Sequence, residues 1–516
     1  MTAPRLADFL SRSARTAPTN AAIVADGHSL TYAELLRRVT DVAGALTAGG
    51  VDRGCRVGVY LPRSIDAIVV VHAAVRVEAV VAPLDVRDPA IRTATLVSGA
   101  ALACIVTDAA HLPSLREVGV DWPAIKAGSL LLVVDPDAPA PDVEDGYLLF
   151  TSGSTGVPKG VLLSTAAVAN FAAAAVEAFA LTSVDRVAAQ SALTFDLSTF
   201  DIFSVAAAGA AHVLVPDFLK SFPQDLVEWL ADERITAIYA VPTLLRSITD
   251  AIARSSEVQT DAGHAALPAL RTIAFAGEPY PERALAELLT LFGTARLLNL
   301  YGPTETNVCT IELIAADWTP DQRLSIGLPC AGLEVCLVDD DLMPTDGTGE
   351  LVVAGPSLLR GYLIDGILHD PTTSITFPDK VTRRSYRTGD IASRGDDGRF
   401  YLHGRRDTQI KRRGYRIDLA GIDTLVGEVN GVRACVTVPT GPDNQVVLFV
   451  EPTSDGGVTV LSDVRTALHR SLPVPHLPDR ITLMTSIPRN SRGKIDLHQV
   501  RSLADDIDIQ REDTIA

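Results

Sequence analysis

Two kinds of hydrophobic run alternate along most of this chain. Short β-branched segments, CRVGVYLP at 55–62, ACIVTD at 103–108, SLLLVVD at 129–135, AHVLVPD at 211–217 and RTIAFAGE at 271–278, read as buried strands. Between them lie alanine-rich stretches with a helical period, such as AAVANFAAAAVEAF at 166–179 and LVEWLADER at 226–234. Strand and helix in alternation imply an α/β fold of parallel sheets covered by helices. After about residue 340 the texture changes. GTGELVVAGP at 347–356 and GRFYLHGRRDTQIKRRGYRID at 398–418 are richer in glycine, charge and hairpin-like pairs. The last hundred residues read as a small α+β unit, with a boundary near 403–408.

Length, charge and cysteine usage narrow the picture. A chain of 516 residues exceeds what one hydrophobic core serves, so at least two domains are expected. A net charge of −18 argues against a nucleic-acid partner, which needs a basic face. The most apolar stretch, AIVVVHAAVRVEAVVAPLD at 67–85, is broken by His72, Arg76 and Glu78, so no membrane span is expected. Asp8 interrupts the N-terminus where a signal peptide requires an apolar run. The six cysteines have no CxxC pair and no histidines at metal-ligand spacing, which suits reduced thiols in a cytoplasmic protein.

The stretch FTSGSTGVPKGV at 150–161 raises the first chemical question. Glycines let backbone amides approach an anion and hydroxyls add donors, so such a loop suits pyrophosphate. A P-loop kinase or ATPase requires GxxxxGK[ST]; here Lys159 is followed by Gly160, and that spacing fails. Taken alone, a flexible surface turn accounts for the loop equally well.

The loop does not stand alone. TSGSTGVPKG at 151–160, NLYGPTE at 299–305, YRTGD at 386–390, GRRDTQIKRRGYRI at 404–417 and PRNSRGK at 488–494 follow in the order of the adenylate-forming (ANL) superfamily. Within it the chain resembles the amino-acid adenylation domains of nonribosomal peptide synthetases. LTYAEL at 30–35, FDLSTFDIF at 195–203 and GELVVAGPSLLRGYL at 349–363 are weaker echoes. The resemblance covers nearly the whole chain. It implies a large N-terminal core at 1–403 that binds ATP and amino acid, a hinge at 404–407, and a mobile C-terminal domain at 408–516.

The resemblance also assigns roles. Thr151, Ser152, Gly153, Ser154, Thr155 and Gly156 would cradle the β,γ-phosphates of ATP, with Lys159 beside them. Tyr301 would lie against adenine, Thr304 would bond the α-phosphate and Glu305 would hold Mg2+, a hard cation that takes carboxylate oxygen. Asp390 would accept the ribose hydroxyls with support from Arg405. Asp407 would be the hinge pivot and Gly414 would border the tunnel for phosphopantetheine. Lys494 would touch both the substrate carboxylate and the α-phosphate. The chain departs from the family pattern at Asp418 and Gly421, where glutamates are usual, and at Glu78, where many members have glycine.

Asp196 would bind the substrate ammonium, which disfavours acids without an amine; an ordinary helix cap is the structural alternative. The resemblance places Leu197, Phe200, Ala240, Ala274, Ala276, Leu300, Val308, Cys309 and Lys494 around Asp196 as the expected pocket. Apart from Asp196 and Lys494 its walls are uncharged, and three alanines leave slack. The expected substrate is a small aliphatic amino acid, alanine first with glycine or serine tolerated, and a small β-amino acid is the alternative. Only 22 residues follow Lys494, so the expectation is a stand-alone enzyme that loads a separate carrier protein. An acyl-CoA ligase, a P-loop kinase and a non-catalytic module with an inherited fold are the competing readings. The last would show decay at Glu305, Asp390 or Lys494, and all three residues are present.

Overall fold

A computed structural model of the chain describes residues 5–151, 158–255, 265–441, 443–453, 459–489 and 495–512. Several helices start where the sequence supplies a cap. In LTYAEL, the Thr31 hydroxyl accepts from the Glu34 amide while the Glu34 carboxylate accepts from the Thr31 amide, and this reciprocal box opens the helix Tyr32–Ala48. Ser64 and Ser164 cap Ile65–Arg76 and Thr165–Ala178 more simply, their hydroxyls accepting from the Ala67 and Ala167 amides, and Asp418 caps Leu419–Gly427. The apolar run at 67–85 is thus a core helix followed by the buried strand Val80–Leu84. No helix among the described residues is long and apolar enough to cross a membrane.

The chain divides into two compact units. One comprises Met1–Val86, Val97–Leu149 and Gly160–Arg406; the other comprises Arg87–Leu96, Phe150–Lys159 and Asp407–Ala516.

The first unit is built on sheets. In one nine-stranded sheet, six neighbours run parallel: Ala21–Ala25, Ala211–Leu214, Arg186–Ala189, Ala237–Ala240, Thr272–Phe275 and Arg296–Tyr301. Antiparallel strands flank them, with Thr310–Ile314 next to Arg296–Tyr301. A second nine-stranded sheet has Cys104–Asp108, Arg56–Tyr60, Val80–Leu84 and Gly146–Thr151 as its parallel centre. SLLLVVD departs from expectation. Its strand, Leu130–Val134, pairs antiparallel with Cys104–Asp108, because a hairpin with Ala124–Ala127 returns the chain to that edge. The glycine-rich texture after 340 becomes a five-stranded antiparallel sheet of Glu334–Val338, Thr348–Ala354, Thr373–Thr376, Thr382–Arg394 and Phe400–Arg405.

The C-terminal part of the second unit is α+β. Val432–Thr440, Gln445–Pro452 and Arg480–Leu483 form a sheet, and the helices Leu419–Gly427, Val460–Ser471 and Leu497–Glu512 accompany it. The hairpin Gln409–Arg412 to Tyr415–Asp418 turns through Arg413 at φ 50° and Gly414 at φ 82°. Two positive φ angles in a two-residue connection match the right-handed strand twist.

Glu78 explains one departure from the family pattern. Its φ is 58°, in the left-handed region where glycine is unstrained and another residue costs about 1–2 kcal/mol. Ion pairs with Arg5 and Arg53 hold the side chain, and their exposure makes them a small offset.

Candidate active site

The NLYGPTE loop leaves the carboxyl end of the parallel strand Arg296–Tyr301, the edge where open α/β sheets place ligands. It doubles back at once. A β-carbon on Gly302 would stand 1.8 Å from the Asn307 carbonyl oxygen, so only glycine fits this backbone. The Thr306 amide donates to the Pro303 oxygen at 3.0 Å and closes the turn.

This loop directs three functional groups, Tyr301, Thr304 and Glu305. The Thr304 hydroxyl donates to Asp196 Oδ2 at 2.7 Å, joining the residue expected at the α-phosphate to the one expected at the ammonium. Asp196 lies just before a π-helical turn, Phe200–Ser204, and its backbone oxygen accepts from the Thr199 amide and hydroxyl. Glu305 is only 1% exposed, and its Oε1 accepts a 2.7 Å bond from the Tyr362 hydroxyl. Tyr301 is buried and donates to Asp390 Oδ2 at 2.5 Å. Arg405 Nη1 donates to Asp390 Oδ1 at 2.6 Å from the strand opposite, where the two residues are register partners. Burial, reinforced by Asp390 beside Tyr301 and by Glu305 beside Tyr362, raises both phenols well above the usual range, so each keeps its proton.

Direct bonds in the first unit thus join Thr304 to Asp196 and join Tyr301 and Arg405 to Asp390, while Glu305, from the same loop as Tyr301 and Thr304, is held by Tyr362. Of the expected phosphate loop, Thr151 ends the strand Gly146–Thr151 and Lys159 begins Lys159–Leu163; Ser152, Gly153, Ser154, Thr155 and Gly156 lie outside the described residues. Lys494 lies outside them as well. Asp407 is exposed, follows directly on the division between the units, and accepts from the Gln409 amide at 3.2 Å.

The expected pocket needs one correction. Leu197, Phe200, Ala274, Ala276, Leu300 and Val308 pack in one apolar cluster, but Ala240 does not. Side chains alternate along a strand, and in Ala237–Ala240 it is Ala237 and Tyr239 that face this cluster, while Ile238 and Ala240 face the opposite one. Tyr239 takes the place assigned to Ala240. Its ring meets Phe200 edge-on at 5.3 Å between centroids, so the anticipated slack is partly filled. Its hydroxyl is buried with no hydrogen-bond partner among the described residues. The period of two in AIYA was the signal that would have found it. Cys309 packs in a separate cluster with Tyr301.

Behind this wall sits Asp201, 2% exposed on the π-helical turn. Burial raises its carboxyl to about 8 despite the opposing fields of Arg63 and Lys220. A folded-state value above the unfolded one stabilises most at low pH, and that contribution is lost as pH rises from the unfolded value of about 4 through 8. Asp201→Asn should remove this slope. Chemical denaturation from pH 5 to 8 should show the wild type losing stability relative to the variant by on the order of 1 kcal/mol per pH unit; parallel pH profiles would refute the assignment.

Comparison with known proteins places the chain in a family. The AMP-binding enzyme family matches residues 10–363. An L-proline–L-prolyl-carrier-protein ligase of Streptomyces coelicolor is 34% identical over 509 residues, covering 91% of this chain and 91% of its own. A ligase of the same description from Pseudomonas fluorescens is 31% identical over 501 residues, covering 93% and 95%. The fold matches the Vibrio cholerae adenylation domain AlmE, solved with glycyl-adenosine-5′-phosphate, at a TM-score of 0.80 and 22% identity over 97% of both chains. With the family matched over most of its length and full-length relatives above 30% identity, the chain belongs to the AMP-binding enzymes, the adenylate-forming ligases of the ANL superfamily.

Proposed function

We propose that this enzyme activates a small amino acid with ATP as an aminoacyl-AMP and transfers the acyl group to the phosphopantetheine thiol of a separate carrier protein in natural-product biosynthesis. The bond from Thr304 to Asp196 carries the reading. It sets the residue expected at the α-phosphate beside the residue expected at the ammonium, which supports the reading because the carboxylate of one small substrate must reach phosphorus.

In the first step a carboxylate oxygen attacks the α-phosphorus and the bond to pyrophosphate breaks. Asp196 holds the ammonium, Thr304 the α-phosphate, and Asp390 with Arg405 the ribose. Thr151 to Gly156 and Lys159 retain the leaving pyrophosphate, and Tyr301 packs on the adenine. Lys494 offsets charge growing on carboxylate and phosphate oxygens. In the second step the thiolate attacks the acyl carbon and the bond to AMP breaks, after a rotation about Asp407 that brings the tunnel beside Gly414 into use.

A magnesium ion suits the donor set. Glu305 offers a hard carboxylate oxygen, held in place by the bond from Tyr362. Mg2+ commonly binds through one or two carboxylates plus substrate phosphates. The ion would neutralise phosphate charge, with Glu305 as its protein ligand. None of the six cysteines is in a disulfide, which suits a cytoplasmic enzyme.

For the substrate, L-proline is the best candidate. Two full-length relatives carry that specificity in their descriptions. With Tyr239 in place of Ala240, the pocket is narrower and apolar, suited to a compact ring. ATP–pyrophosphate exchange should be compared for L-proline, L-alanine, glycine, L-serine, β-alanine and 3-aminobutanoate. L-proline should lead by roughly tenfold or more, the order expected from one to three methylenes. A lead for alanine or a β-amino acid would replace proline and leave the chemistry intact.

A further inference from the structure

We propose that Tyr362 and Tyr386 are positioning residues for Glu305, and that the bond from Tyr362 sets how tightly the enzyme holds the divalent cation that accompanies ATP. The inference rests on Glu305 being the metal-binding carboxylate.

Tyr362 lies in RGYL and Tyr386 in YRTGD, the motif of Asp390. The structure joins them to the NLYGPTE loop. Tyr362 donates to Glu305 Oε1 at 2.7 Å, and the two tyrosine oxygens are 2.9 Å apart. Because the proton of Tyr362 is committed to the carboxylate, its oxygen is the acceptor in the second bond. The chain therefore runs Tyr386 to Tyr362 to Glu305.

Three features show that this arrangement fixes the carboxylate. Glu305 is nearly inaccessible, and a buried carboxylate is costly unless hydrogen-bonded. The segment that supplies Tyr362 also grips the Glu305 backbone, since the Leu359 amide donates to the Glu305 oxygen at 2.8 Å. The participants come from three sheets of the first unit. Tyr362 is on Gly361–Ile364, Tyr386 is on Thr382–Arg394, and Glu305 follows Arg296–Tyr301. Their convergence fixes the glutamate rotamer and engages Oε1. Loss of such an outer partner typically weakens metal binding about 10–100-fold.

The test compares Tyr362→Phe, Tyr386→Phe and Glu305→Gln in the full-length enzyme. Mn2+ binding is read by electron paramagnetic resonance with α,β-methylene-ATP present, and the Mg2+ half-saturation of pyrophosphate exchange is read alongside. Tyr362→Phe should raise the Mn2+ dissociation constant and the Mg2+ half-saturation by about tenfold or more. The amino-acid KM should stay within about twofold, since the ring and its packing remain. Tyr386→Phe should shift both metal readouts in the same direction by less, and it serves if Tyr362→Phe does not fold. Unchanged Mn2+ binding in a folded Tyr362→Phe, or an equal loss of activity at all metal concentrations, overturns the inference. If Glu305→Gln also leaves Mn2+ binding unchanged, the metal assignment of Glu305 itself has failed. If Glu305→Gln weakens binding and the tyrosine variants do not, only the positioning role has failed.

Discussion

Asp196→Ala should lower kcat/KM for amino-acid-dependent pyrophosphate exchange by about 10²–10³. Removing one member of a buried ion pair costs about 3–5 kcal/mol, because the other charge is left in the pocket without compensation. Asp196 is partly exposed in the free enzyme, so the lower end of that range applies. The loss should fall mainly on the amino acid. Thr304 would also lose its acceptor, which frees its hydroxyl without removing it from the loop. The KM for ATP should therefore change only a few-fold. Asp196→Asn should be intermediate, retaining a hydrogen bond without the charge. Steady-state exchange with each substrate varied separately provides the check. A variant that loses ATP binding and amino-acid binding equally would remove Asp196 from the ammonium site.

Lys494→Ala should slow adenylation by roughly 10²–10³, by analogy with removal of one donor at a developing oxyanion. The argument is electrostatic. The attacking carboxylate and the α-phosphate are both anionic, and charge accumulates between them in the transition state. A point cation placed there acts most strongly at that moment, so kcat should fall more than KM rises. Thioester formation from chemically supplied aminoacyl-AMP should be much less affected. Single-turnover assays of each half-reaction separate the two. Equal losses in both would indicate a general structural role, and unchanged exchange would refute the assignment.

The architecture was readable because each level of the sequence agreed with the next. Buried β-branched runs gave the parallel strands, and Thr31, Ser64 and Ser164 marked helix starts. SLLLVVD misled because a fully apolar run carries no sign of strand direction; direction came from the hairpin that precedes it. At the site, contiguous motifs delivered Tyr301, Thr304, Glu305, Asp390 and Arg405, of which the fold bonds Thr304 to Asp196, and Tyr301 and Arg405 to Asp390. Tyr239 is not legible from the resemblance, because strand alternation decides which side chain of AIYA faces the apolar cluster. Tyr362 and Tyr386 were missed for a different reason. Their importance lies in contacts across sheets, spanning 57 residues to Glu305 in one bond and 24 between the tyrosines in the other, and no local pattern encodes that.

The most direct measurement of the central claim is mass spectrometry of the quenched reaction of enzyme, ATP, Mg2+ and L-proline in the absence of any carrier protein. The account predicts enzyme-bound prolyl-AMP together with stoichiometric pyrophosphate, and AMP appearing in solution once a phosphopantetheinylated carrier protein is supplied. Formation of ADP and phosphate, or the absence of an aminoacyl-adenylate with proline and with every other amino acid in the panel, would contradict it.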